Sequence, residues 1–450
     1  MLLLLFKNFI RSRITLIGLS IVFVAGIVSL LVGKQHLQKQ QNDVAQTIHF
    51  QQEHIRHNAQ VVTSEMGLLL YYLRFGLINQ THPLNALAIG QRDVNPSIQR
   101  VTIRNLENQK YDTDLFNPTN LLAGNLDFSF VLIYLFPLLI IGFTYNLLSE
   151  EKEGGTWKLI LAQSSRAVPL LMRKFAVRAA GVFAILILLL ILAGLMLSLP
   201  LDSMLLATFS LSVLYLVCWF SISFWVVSLQ KNSSTNAVIL LTGWLLLTIV
   251  LPGAVNRYIS TTYPVPEALA TAVKQREGYH EKWDMDKSVT INKFYAHYPQ
   301  FRKYPLPDKE FSWLWYYAMQ QMGDDEARQE AEQMRSKLWQ RERASELIAY
   351  FIPTLHTQHQ FNSLAQAGLA NHLRFLDQTT RFHEKLRLYF YPKIFEEAAV
   401  SHENWGAFPV QFFSDHRTIS WVSILLPLIL IISVFAGMGL LNYRRVSSKE

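Results

Sequence analysis

GNLDFSFVLIYLFPLLIIGFTYNLLSEEKEGGTWKLILAQ, residues 124–163, decides what kind of protein this chain makes. Residues 128–148 run for 21 positions without Asp, Glu, Lys, Arg or His. A helix needs about 20 apolar residues to cross roughly 30 Å of hydrocarbon, so this stretch reads as a membrane span. Pro137 lies mid-span, removes a backbone donor and is expected to kink the helix. The span then exits abruptly into Glu150, Glu151, Lys152 and Glu153, followed by Gly154 and Gly155. Paired glycines let the backbone turn sharply. Thr156 is placed to cap a short helix through Trp157 to Leu161. The expected product is a compact charged knob at the mouth of the span.

Working outward, the same reading applies to five further uncharged stretches, residues 14–32, 179–200, 204–229, 237–255 and 419–441. The fold class expected is an all-α membrane protein with six transmembrane helices. Pro252 lies near the end of the fifth and is expected to kink it as well. The short loops 1–13, 149–178, 230–236 and 442–450 hold 13 basic against 4 acidic residues. The long loops balance, with 8 of each sign in 33–127 and 20 of each in 256–418. Basic residues concentrate in short cytoplasmic loops. Both termini and the knob are therefore expected in the cytoplasm, and 33–127 and 256–418 form two large, mainly helical extracytoplasmic insertions. The pI near 9.3 follows from this asymmetry and gives no indication of nucleic-acid binding.

Residues 1–13, MLLLLFKNFIRSR, carry Lys7, Arg11 and Arg13 beside an apolar run and are expected to lie as an amphipathic helix in the interface. The first span is too long for a signal-peptide core, and Gly33-Lys34-Gln35 is no small-residue cleavage site, so it reads as a signal anchor. The first insertion opens with a Gln-rich helical stretch to about Arg74 and then turns irregular around Pro83, Pro96 and Pro118. In the second, Ala327, Ala331, Met334 and Leu338 mark one face of a helix over 324–351 that Pro353 ends. Another helix is expected over 361–390, with Phe375, Phe382, Leu386 and Phe390 on one side. Trp313, Trp315, Tyr316 and Tyr317 read as core aromatics before they read as a substrate platform. The single cysteine, Cys218, falls inside the fourth span, so neither insertion contains an internal disulfide.

Recognisable catalytic chemistry is missing. No GxxxxGK[ST], HExxH or GxSxG occurs. His356, His359, His372 and His383 are spaced as surface or packing residues, since zinc needs three or four convergent ligands. The spans hold no intramembrane carboxylate or histidine of the kind that ion-coupled transporters use as relays. Neither a cofactor nor a metal is expected in the chain, and any energy must come from a partner.

Residues 124–163, together with SSRAVPLLMRKFAVR after them, resemble the ABC type-2 permeases, the membrane subunits of ATP-driven exporters. NPTNLLAGNLDFSFV, PTLHTQHQFNSLAQAGLANHLRF and FHEKLRLYF resemble a bacterial subgroup whose large outer region has no assigned function. The resemblance implies a multi-pass protein of the bacterial inner membrane that pairs with a second permease subunit, identical or related. It implies a cytoplasmic ATPase subunit that binds the ATP and docks on Glu150, Glu151, Lys152, Glu153, Gly154, Gly155 and Thr156. It also implies that Pro137 and Pro252 shape a pathway at the subunit interface. Two alternatives stand beside export: a mechanotransmitter that moves envelope proteins without transport, and a membrane-anchored receptor or scaffold.

Overall fold

The first span and the polar chain beyond it form a single helix. The computed structural model describes residues 2–111, 125–156, 167–266, 282–416 and 418–447. A short helix α1 (Leu2–Arg11) comes first, and the chain breaks at Ser12 in extended conformation. Helix α2 then runs from Arg13 to Val61, 49 residues, or roughly 74 Å at 1.5 Å per residue. In α1, Phe9 is buried against Phe143, with ring centroids 5.1 Å apart, while Leu4, Phe6 and Ile10 stay exposed.

Five further helices are long and apolar enough to cross a membrane: α5 (Phe128–Glu153), α6 (Ala167–Leu197), α7 (Ser203–Ser228), α8 (Ser233–Thr262) and α13 (Trp421–Ser447). With α2 they make a multi-pass membrane protein. The central helix is α7, where Leu211, Tyr215, Leu216, Cys218 and Trp219 are fully buried. Between such helices lipid removes the usual gain from apolar burial, so close packing and hydrogen bonds must hold the bundle.

The polar chain behaves differently from the two insertions drawn from sequence, because both segments feed one sheet and one core. Helix α2 ends at Val61, not near Arg74, where β-branched Val61, Val62 and Thr63 follow one another. Next come α3 (Met66–Tyr72), β1 (Phe75–Asn79), β2 (Ile98–Val101) and α4 (Glu107–Tyr111). The second segment supplies α9 (Lys287–His297), α10 (Trp313–Ala349), α11 (Pro353–Leu364), α12 (Leu369–Phe395) and β3 (Gln411–Phe413). The sheet order is β2-β1-β3: Phe75 faces Val101 in the antiparallel pair, and Leu77 faces Gln411 in the parallel one. Leu69, Phe75 and Val101 then share a core with Phe294, Tyr317, Phe375, Phe390 and Tyr391. Each such side chain removed from water contributes about 1.5–3 kcal/mol.

Several helix limits also differ from the sequence expectation. Helix α10 starts at Trp313, capped by Ser312, so the Trp-Tyr cluster is its first turn; Tyr317 donates to the Gly67 carbonyl at 2.8 Å. Pro353 begins α11 as well as following α10. The stretch 361–390 is divided between α11 and α12, since Gln366 takes a positive φ of 54°. Pro118 lies outside the described residues.

Buried polar groups bind the two segments where a disulfide might have done so. Arg387 donates to the carbonyl oxygens of Ile103 and Arg104 and pairs with Asp324 at 2.7 Å. Asp324 in turn accepts from the Leu106 N–H at 2.8 Å. Arg92, also buried, donates to the Asn79 and Gln366 carbonyls at 3.1 and 3.0 Å. Among the described glycines the tightest approach is at Gly33, where an added Cβ would lie 2.0 Å from the Ala86 carbonyl oxygen.

Two outcomes follow from this packing. Gly33→Ala forces α2 away from residues 83–86 and should destabilise the purified protein by about 1–3 kcal/mol. Gly142→Ala, whose Cβ meets nothing within 4 Å, serves as the control; equal melting of the two variants would contradict the contact. The second concerns pH. Burial pushes His372 down to about 4, and burial also drives His383 well below its ordinary value. Unfolded histidine protonates near 6.5, so between about pH 6.5 and 4 the unfolded chain takes up protons that the folded chain refuses. Denaturant melts should show stability falling with pH across that window. His372→Gln should make the slope shallower, and an unchanged slope would assign the effect elsewhere.

Candidate functional site at the ends of the second span

At the end remote from the polar domain, α5 closes in a turn of helix over Ser149–Glu153. This turn is folded onto neighbouring spans through its own charges. Glu151 pairs with Lys174 of α6 at 2.5 Å. Lys152 donates to Gln230 at 2.6 Å. Glu153 accepts from the N–H and hydroxyl of Ser233, the first residue of α8, at 2.7 and 2.9 Å. A carboxylate at a helix N-terminus satisfies unpaired N–H groups and sits at the positive end of the helix dipole. Asn236 adds a bond to the Tyr145 carbonyl at 3.1 Å, and Arg178 one to the Phe143 carbonyl at 2.6 Å.

Not every residue of the knob is spent this way. Glu150, Gly154, Gly155 and Thr156 are exposed, and among the described residues the Glu150 carboxylate accepts a hydrogen bond from Asn146 alone, at 3.1 Å. The sharp turn belongs to Gly155, with φ +72°, while Gly154 keeps a helical φ of −78°. Thr156 turns back: its hydroxyl donates to the Glu151 carbonyl at 3.1 Å. The helix expected over Trp157–Leu161 lies outside the described residues.

Pro137 and Pro252 each follow a widened turn. Val131–Leu135 and Leu246–Val250 are π-helical, and each ends two residues before its proline. A proline cannot bond the carbonyl four residues back, and its ring crowds that carbonyl. Widening the turn relieves the crowding but leaves carbonyls without ladder partners. Side chains from other elements supply the donors. Tyr215 of α7 donates to the Ile133 carbonyl, four residues before Pro137, at 2.8 Å. Trp244 of α8 donates to the Tyr134 carbonyl at 3.2 Å. Thr354 of α11 donates to the Leu247 carbonyl, five residues before Pro252. A third proline, Pro427, interrupts α13, and His356 of α11 donates to the Ile424 carbonyl at 2.8 Å.

Helix α11 therefore reaches down among the span ends. The other end of α5 is gripped as well. Asp127 accepts from the Phe130 and Ile89 N–H groups, both at 2.9 Å, and Ser129 N–H donates to the Leu87 carbonyl. Trp244 joins the bulges before Pro137 and Pro252, since its own carbonyl accepts from Thr248 at 2.6 Å. His356, His359, His372 and His383 do not converge: His356 serves α13, His359 lies 3.3 Å from Glu342, and His383 donates to the Arg104 carbonyl. Sequence gave a signal for the interruptions, in the prolines, and none for Tyr215, Trp244 or Thr354 as the donors.

Residues 268–413 match a family described as a domain of unknown function (DUF3526). The match lies within the second polar segment and covers neither the knob nor the interrupted spans. No curated protein and no solved structure matches the chain.

Proposed function

We propose that this chain is the permease subunit of an ATP-binding-cassette exporter, acting with a second permease subunit and a separate cytoplasmic ATPase. The observation that carries the proposal is the construction of the knob. Its exposed part, Glu150 and Gly154–Thr156, is available to a partner, while Glu151 and Glu153 tie it to α6 and α8. A displacement imposed on the exposed part is passed to three spans at once. Two of them, α5 and α8, contain the π-helical turns, where a helix bends at lower cost than in a regular ladder. The sequence resemblance of residues 124–163 to type-2 permeases supports the same assignment.

A mechanotransmitter is the second reading, and one observation favours it. Helix α2 continues unbroken from the span into the polar domain, and α11 returns from that domain to the span ends. Motion in the bundle would then move the polar domain whether or not a solute crosses. Assay of solute movement in vesicles containing the assembled complex separates the two readings.

Orientation is tested by cysteines at Gln46 and Ser336, both exposed, in a Cys218→Ser background. They should react with an impermeant thiol reagent from outside the cell, and a cysteine at Ser165 should not. The reverse pattern would put the knob on the wrong side for an ATPase.

Coupling is tested by Glu150→Lys, which leaves the hydrogen bonds of Glu151 to α6 and of Glu153 to α8 intact, and by Gly155→Val, which opposes a positive φ. Both should insert normally and weaken ATPase association by about tenfold or more, as charge reversal does at desolvated contacts. Glu151→Lys with Glu153→Lys should lose coupling through the knob's own attachment. Exposed pairs are worth about 0–1 kcal/mol, so a merely solvated loop would show little change. Wild-type co-purification and hydrolysis rate in all three variants, normalised to membrane level, would remove the knob as the coupling element.

A further inference from the structure

The polar domain carries an open groove of about 670 Å³ between α2 and β2, remote from the knob. Lys39, Asp43 and Thr47 line one wall at helical spacing, and residues 96–100 with Thr102 and Arg104 line the other. Arg74 and Gln109 complete it. Four of the eight basic residues of segment 33–127 therefore face this groove, Lys39, Arg74, Arg100 and Arg104, against one of its eight acidic residues, Asp43. Elsewhere in the polar domain Arg328, Arg335, Arg374 and Arg387 are each paired with an aspartate. None of the four groove cations forms an ion pair among the described residues.

Two of these cations are held in place without being neutralised. The Arg100 guanidinium lies 5.2 Å from the Phe50 ring centroid and donates to the Thr47 hydroxyl at 3.0 Å. The Arg104 guanidinium lies 4.5 Å from the Tyr71 ring centroid and, among the described residues, bonds only the Thr102 hydroxyl, at 3.2 Å from Nε. A guanidinium has five N–H donors in a rigid fork, so most remain available to a ligand. Stacking on an aromatic face fixes the plane of the fork, which reduces the ordering cost of binding. The rest of the lining is almost wholly amide and hydroxyl, from Gln40, Gln46, Gln99, Gln109, Ser97 and Thr102.

We infer that this groove binds a soluble, hydrophilic ligand bearing more than one phosphate group. Forked arginines match phosphate oxygens bidentately, and the scarcity of apolar lining disfavours an acyl or aromatic body. The position selects the source of the phosphate. Lys39 stands seven residues past the apolar stretch 14–32, about 10 Å along the helix. Headgroups extend only roughly 5–7 Å beyond the hydrocarbon, so a phospholipid in its leaflet stops short of Arg100 and Arg104. The competing role for these charges is protection of β2, an edge strand, against pairing with another chain. That role requires no ligand.

The test uses the full-length chain in nanodiscs, with tripolyphosphate as the free probe and phosphatidylglycerol against phosphatidylcholine as the lipid arm. Calorimetric titration in phosphatidylcholine discs should show tripolyphosphate binding that weakens as salt is raised. Lys39→Gln with Arg74→Gln, which removes two charges that make no hydrogen bond or ring contact among the described residues, should weaken it about tenfold or more. Arg100→Lys keeps charge but not the fork and should also weaken it, whereas Lys34→Gln outside the groove should not. Undisturbed melting of the unliganded variants confirms their fold. The proposal is overturned by absent binding, by equal binding to wild type and the double variant, or by tripolyphosphate binding only when phosphatidylglycerol is absent, which would mark the lipid headgroup as the true occupant.

Discussion

In hydrocarbon every backbone carbonyl needs a donor from within the protein, because no water is present to replace one. Three of the six spans contain a proline that breaks the ladder, at Pro137, Pro252 and Pro427. Much of the tertiary arrangement answers that requirement. Tyr215 is fully buried where it reaches Ile133, and α5 and α7, the two spans this bond joins, are the most enclosed of the six. Thr354 and His356, two residues apart on α11, reach two different spans. The polar domain is thereby fixed to the bundle through the same bonds that make the interrupted helices tolerable.

A second constraint acts outside the membrane. With Cys218 as the only cysteine, the polar domain has no covalent brace and must be held by packing and buried polar bonds. Aromatic side chains are a large part of the apolar core, with Phe294, Tyr298, Phe301, Tyr391 and Phe395 linked in one network of ring contacts. Arg92 and Arg387 then fix register between segments separated by four spans. Each donates to several backbone carbonyls at once, which a lysine with its single ammonium would match less well.

The knob and the bulges are connected by short paths. Glu153 meets the first turn of α8, whose Trp244 lies farther along the same helix and bonds the bulge of α5. A carboxylate at the surface of the bundle is thus linked through α8 to the centre of the second span. Such a chain of contacts is a route by which force can travel, and its demonstration rests on coupling measurements rather than on proximity.

The sequence by itself determined the span count, their order and the charge asymmetry of the loops, because length without charge is a local property that tertiary contacts do not change. It also marked Pro137, Pro252 and the Glu-Lys-Gly turn, since proline and glycine act on their own backbone. Tertiary structure alone decided that Phe75–Asn79 is a strand, because its partners Ile98–Val101 and Gln411–Phe413 lie up to several hundred residues away. It alone decided that Gly155, not Gly154, takes the positive φ, and that Glu151 and Glu153 are engaged by Lys174 and Ser233. Four arginines and lysines scattered through 39–104 became one groove only when α2 was laid beside β2. Periodicity reports which face of an element is apolar; which other element meets that face is set by packing between residues that are distant in the chain.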